Sequence, residues 1–201
     1  SLSLYKFPKY EYQFFNQFSL SALAKKHKAD SGFEYESYHG VANLNFNLYK
    51  DLIFSTRATW SSLDKSTFSN GILYGGGEHS TNHLFHGLEY SDVFGNTMQT
   101  TRLQLEFPLI RSAKGWGLVP LYFKNITGII GQDYIKSDFI FFEGTTYSDI
   151  SAESTFYGVG INTMIFYRAP IKFDILKTNT KLSNGRSKDA SVFSTSTTLN
   201  F

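Results

Sequence analysis

Apolar and polar residues alternate along most of this chain, and no stretch keeps a helical period. Across 10–24 the even positions Tyr10, Tyr12, Phe14, Phe18, Leu20, Ala22 and Ala24 are mostly apolar, with Glu11, Gln13, Gln17, Ser19 and Ser21 between them. Ala42, Leu44, Phe46 and Leu48 alternate with Asn43, Asn45 and Asn47. Leu52, Phe54, Ala58 and Trp60 alternate with Ser55, Arg57, Thr59 and Ser61, and Leu103, Leu105, Phe107 and Leu109 with Arg102, Gln104 and Glu106. The rhythm returns in Val159, Ile161, Ile165 and Tyr167, in Ile171, Phe173 and Ile175, and in Phe193, Leu199 and Phe201. At Asn125 the phase slips, which predicts a β-bulge. Nine strands are expected, at about 1–7, 10–24, 33–49, 52–62, 97–110, 118–133, 154–168, 171–182 and 190–201.

Two all-β architectures share such a pattern. A sandwich buries its apolar face between layers and shows water the other; a transmembrane barrel shows lipid the apolar face and encloses the polar one. Several of the expected strands run well past the 5–6 residues common in soluble sheets, and about 9–11 residues cross a bilayer at a tilt. The length and the inward rows of Asn and Gln favour an antiparallel transmembrane β-barrel. A soluble sandwich adhesin is the distant rival.

Composition sharpens this. The 201 residues hold 20 Phe, 13 Tyr and 2 Trp, or 17% aromatic, yet mean hydropathy is only −0.23. No apolar run of about 18 residues exists, so a spanning helix is not expected. Nineteen Lys and Arg against 17 Asp and Glu leave a charge of +2, which argues against a nucleic-acid partner. Zero Cys excludes a disulfide scaffold and Cys-ligated zinc. Trp60, Trp116, Tyr49 and Tyr167 lie near strand ends, where interfacial aromatics anchor barrels.

The connections alternate in length. Those at 7–10, 49–51, 111–117 and 167–170 are short, and 25–32, 63–96, 134–152 and 183–189 are longer. Outer-membrane barrels have short periplasmic turns and longer external loops. Residues 63–96 then form one external loop, folding toward the lumen, and Ile72-Leu73-Tyr74-Gly75-Gly76-Gly77 must belong to it rather than to a spanning strand. Nine is an odd count, and open edges in lipid are prohibitive. The opening SLSLYKFPKY also has no basic start followed by an apolar stretch. The chain is therefore expected to be the C-terminal part of a larger barrel, with the missing N-terminal strands as its partners.

Several short motifs come in a telling order: Gly75-Gly76-Gly77, Phe85-His86-Gly87-Leu88, Gly95-Asn96, Gln104-Leu105-Glu106-Phe107-Pro108-Leu109, Tyr157-Gly158-Val159-Gly160-Ile161 and Thr198-Leu199-Asn200-Phe201. Together they resemble the C-terminal barrel of the BamA, TamA and FhaC type of outer-membrane protein, the bacterial surface antigen family. The likeness covers 52–201, and 1–51 only by strand rhythm. Gly115-Trp116-Gly117-Leu118-Val119-Pro120-Leu121 is closer to barrels fused to a periplasmic TolB-like propeller. The resemblance implies a sixteen-stranded barrel, of which this chain would supply about nine strands. It implies a loop tip, here His86, Gly87 and Leu88, that folds into the lumen, and a C-terminal assembly signal at Leu199 and Phe201. It departs from the family at two places. His86 stands where the family has Arg, and Gly131 falls where the family has a luminal Asp. Both halves of an Arg–Asp latch therefore look absent, and Glu106 or Gln104 is left as the expected partner of His86.

Other chemistry is thin. His79 and His83 have a metal-pair spacing, but in a glycine-flanked loop solvated side chains are the commoner reading, and no metal or other cofactor is expected. No nucleophile elbow accompanies the many Ser and five His, so the segment is not expected to be an enzyme. Arg57, Arg102, Gln104 and Glu106, with Lys124, Lys172 and Asp174, are expected to face the lumen, either as a satisfied charge network or as a polar conduit. The function expected is that of a barrel in the bacterial outer membrane. It would contact lipid, hold a periplasmic domain or lipoprotein partner, and help polypeptides across or into the membrane. A passive transport channel and the barrel of a lipase-fused protein are the alternatives.

Overall fold

The structure, a computed structural model, describes residues 2–5, 17–28, 34–49, 52–64, 73–75, 85–89, 92–116, 119–141, 145–165 and 169–197. It is all-β, with no helix among the described residues. In chain order the strands are β1 (Leu2–Tyr5), β2 (Gln17–Lys28), β3 (Glu34–Tyr49), β4 (Leu52–Asp64), β5 (Leu73–Gly75), β6 (Val93–Gly95), β7 (Thr97–Trp116), β8 (Val119–Phe141), β9 (Thr145–Ile165), β10 (Ala169–Leu182) and β11 (Ser187–Thr197). One antiparallel sheet takes the order β1-β2-β3-β4-β7-β8-β9-β10-β11, a short stub followed by eight long strands. The remaining two, β5 and β6, are three residues each and pair only with one another. The sheet is open: among the described residues β1 pairs with β2 and β11 with β10.

Each strand meets its sequence neighbour, apart from β4 and β7, which pair across the 65–96 segment. Among the described residues of that segment there is no spanning strand, only β5 and β6. The bulge expected at Asn125 is present as a register shift between Phe123 and Asn125 against β9. It lets Phe123 share a face with Thr163 while Asn125 joins Asn162 on the other.

Several expected boundaries need correction, among them β2, which runs on to Lys28 into the expected 25–32 loop. Residues 134–152 are not a long loop, because β8 continues to Phe141 and β9 begins at Thr145. Likewise β7 runs on to Trp116, and β11 begins at Ser187. In these extensions alternation persists, but polar residues such as Lys136, Asp138, Glu153 and Asp189 replace the apolar ones. Backbone pairing continues without the hydrophobic signature that marks a strand in the sequence. The strands β7 to β9 run 20, 23 and 21 residues, roughly twice what a bilayer needs.

The two faces differ: one exposes large apolar side chains, while the other buries Thr, Ser and Asp together with two apolar clusters. On β9, Ala152, Ser154 and Phe156 are buried, whereas Tyr157 is 61% exposed. On β10, Thr178 and Thr180 are buried, while Ile175 is exposed. On β4, Thr59 and Ser61 are buried, while Trp60 is exposed. Phe18, Leu20, Phe46, Leu103, Leu109, Ile110, Ile130 and Phe193 are also exposed. The buried face is concave. Lys172 of β10 reaches Glu106 of β7 at 2.6 Å across β8 and β9. On a flat sheet those strands would stand about 14 Å apart.

Part of the segment between β4 and β7 lies on this concave face. Phe85, Leu88 and Val93 cluster with Met98, Ile135 and Ala152, and Ile150 and Leu182 pack around them. Backbone bonds from Leu63 N–H to Asn96 C=O (2.7 Å) and from Asn96 N–H to Asp138 C=O (3.2 Å) pin its far end. A second cluster, Ile129, Phe156 and Leu176 with Val192, sits beside it. Met98→Ala, which empties the middle of the first cluster, is expected to cost about 2–5 kcal/mol of docking. Limited proteolysis should then cut between 65 and 96 while the sheet persists; unchanged resistance would count against this packing.

Candidate functional site

The concave face gathers its charges around one carboxylate. Asp133 lies on β8 in a cross-strand row with Arg57 of β4, Arg102 of β7, Ser154 of β9 and Thr180 of β10. Its side chain is 2% exposed. Arg102 grips it with a two-pronged fork: Nε donates to Oδ1 at 2.7 Å and Nη2 to Oδ2 at 2.9 Å. The backbone N–H of His86 donates to the same Oδ2 at 2.8 Å. The His86 ring brings Nδ1 to 2.9 Å from that oxygen, at ion-pair distance but off hydrogen-bond direction. A buried carboxylate needs this many donors, since an unpaired one would lose several kcal/mol of hydration.

The loop tip is shaped to reach it. Gly87 has φ +92°, a conformation that side chains strain, and a Cβ there would run into the hydroxyls of Thr178 and Thr180. Leu88 enters the apolar cluster described above. The His86 ring rests on Phe156, with centroids 4.5 Å apart. Phe156 in turn lies across Gly131, its cross-strand partner, where a Cβ would strike the ring. Gly131 thus makes room for the ring that supports the loop. Beyond the tip, Glu89 meets Lys188 of β11 at 2.7 Å. The Lys188 hydrogen bond holds the Glu89 carboxyl below the usual glutamate range. This exposed tether is present at neutral pH and is lost as pH falls through that depressed value.

The partner expected for His86 was Glu106 or Gln104, and the structure places neither there. Glu106 accepts from Lys172 at 2.6 Å and from Gln104 Nε2 at 2.7 Å. Lys172 also lies 3.5 Å from Asp174. The latching carboxylate is Asp133, two residues past the glycine taken to have replaced it. The inward positions Ile129, Gly131, Asp133 and Ile135 alternate without a break, so counting one step further along the strand finds it. Arg102 faces the same side and carries the fork that His86 lacks. Thr178, Thr180 and Phe156 had no signal of their own in the sequence. Leu199, Phe201, His79 and His83 lie outside the described residues. No group of three or more metal-binding side chains occurs among the described residues.

Comparison with family models, curated proteins and solved structures finds no match to this chain.

Asp133→Asn is expected to cost about 2–4 kcal/mol, because the half-buried Arg102 would lose its carboxylate and the fork its charge. His86→Ala keeps the backbone bond and should cost less, about 1–2 kcal/mol. Adding Arg102→Gln to Asp133→Asn should recover much of the loss. Denaturant midpoints in detergent micelles report all three; additive losses in the double variant would contradict the pairing.

Proposed function

We propose that this chain is part of the wall of an outer-membrane β-barrel, with lipid against its convex face and a lumen on its concave side. One observation carries this reading: one face exposes a band of large apolar side chains while Thr, Ser, Asn and Asp side chains are buried on the other. Four successive cross-strand rows make up the apolar band on β7 to β11. They are Leu105–Ile130–Tyr157, Phe107–Gly128–Val159–Ile175–Phe193, Ile126–Ile161–Phe173 and Phe123–Thr163–Ile171. Three steps of two residues give about 20 Å along the strand, and the side chains at either end extend this toward the ~25 Å apolar band of such barrels. Above the band the outward residues turn polar, at Thr155, Asn179, Asp189, Glu153 and Lys181.

The His86–Asp133 contact lies at the upper edge of this band, so the loop tip would enter the lumen from the outer side. A barrel plugged in this way suits a protein that holds a periplasmic module at the membrane and assists polypeptide insertion or translocation, as in the surface antigen family it resembles. An open nutrient channel is less well supported, because Phe85, Leu88 and Val93 pack on the concave face. Barrel closure then requires strands that pair with β1 and β11, in keeping with the sixteen-strand expectation.

Ile175 lies in an inner row of the band. Ile175→Arg is expected to destabilise the folded protein in lipid vesicles by about 2–4 kcal/mol, the cost of arginine at a bilayer midplane. On a water-facing surface the same change stays within about 0.5 kcal/mol. Unfolding titrations in vesicles distinguish the two, and a near-neutral result would sink the membrane reading.

A further inference from the structure

A second polar feature of the concave face adjoins the latch and shares Arg102 with it. Beside the Arg102–Asp133 fork, a cleft of about 270 Å³ is lined by Ser19, Asn43, Asn45, Ser55, Arg57 and Arg102. The register explains its floor: Ser19 of β2, Asn43 of β3, Arg57 of β4 and Arg102 of β7 follow one another across a single row. Asn45 and Ser55 form the next row. Asn43 Nδ2 donates to Ser19 Oγ at 3.1 Å, which ties the far wall together.

The charge along this row is lopsided. Arg57 and Arg102 are direct cross-strand partners, an arrangement that like charges make unfavourable. Asp133 faces Arg102 from the opposite side, and the described residues that line the cleft include no Asp or Glu. Two guanidinium groups therefore border a half-enclosed polar space whose other walls are amides and hydroxyls. An oxyanion seated there would offset the repulsion and meet the planar fork that arginine offers to carboxylates and phosphates.

We propose that this cleft is an oxyanion site, taking a carboxylate or phosphate group, with Arg57 as its principal ligand. It stands on the concave face alone and does not depend on the membrane reading. Selectivity follows from the chemistry: chloride lacks the paired oxygens that a fork engages. A lumen with this patch would favour anionic solutes, or acidic segments of a passing polypeptide, on the β3–β4–β7 side.

The test uses the whole chain in detergent micelles at constant ionic strength. Melting temperature is followed as chloride is exchanged for succinate in one series and for inorganic phosphate in another. A saturable rise is expected with at least one probe, and the pair shows whether a planar carboxylate or a tetrahedral group fits better. Arg57→Gln should weaken the apparent affinity at least about tenfold, since a charge-assisted fork contributes that much or more. Any rise left in that variant measures general salting effects of the anion. If Arg57→Gln does not fold, Asn43→Asp serves instead: it places a carboxylate opposite Arg57 and should abolish the dependence on added oxyanion. Equal curves for wild type and variant, or no saturable rise with either probe, would overturn the proposal.

Discussion

Backbone pairing along eight long strands decides which side chains share a face, and here it sorts them against the usual order of a protein in water. Thr59, Ser61, Thr100, Ser137, Ser154, Thr178 and Thr180 are buried. Leu20, Leu48, Leu109, Ile110 and Phe193 are exposed. Each exposed aliphatic or aromatic side chain forgoes about 25 cal/mol for every Å² it could have hidden from water. No second layer covers that face among the described residues. A hydrocarbon surround would remove the penalty. The remaining features follow from this sorting, because the polar face must then satisfy itself.

It does so through charges, glycines and a returning loop. Glu106 and Lys172 meet over two intervening strands, and Gly158 and Gly160 keep the surface beneath them low. A Cβ at Gly158 would strike the backbone of β10, so even one methyl group would push the strands apart. On the same face Gly131 admits Phe156, Phe156 supports His86, and the His86 backbone joins Arg102 on Asp133. Sheet curvature, loop docking and burial of a carboxylate are thus one arrangement. Register connects it to the oxyanion cleft, since Arg57, Arg102 and Asp133 share a row and Arg102 borders both sites.

Much of this could be read from the chain before any coordinates. Leu103, Leu105 and Phe107 alternating with Arg102, Gln104 and Glu106 identify a strand and assign its two faces. The order of the long strands follows from their sequence order, and none of those described lies between β4 and β7. The ends of β8 and β9 were not legible. There the outward residues change from Ile130 to Tyr134 and Lys136, and a strand with two polar faces reads like a loop. The site was legible by half. Arg102 and His86 stood out, but their shared partner lay one inward step beyond the glycine on which attention fell. Partnerships such as Gly87 with Thr178 and Thr180 depend on where a loop lands, which no local pattern encodes.

The absence of cysteine makes the decisive measurement simple. Single cysteines placed at alternate positions along β9 and β10 can carry a fluorophore, one at a time, in protein reconstituted into vesicles. Quenching is then compared between nitroxides attached to lipid chains and iodide in the water. Labels at 159, 161, 173 and 175 should be quenched from the lipid and shielded from iodide, and labels at 154, 156, 178 and 180 should not be reached from the lipid. Iodide quenching at 159, 161, 173 and 175, with none from the lipid, would contradict the inverted polarity on which this account stands.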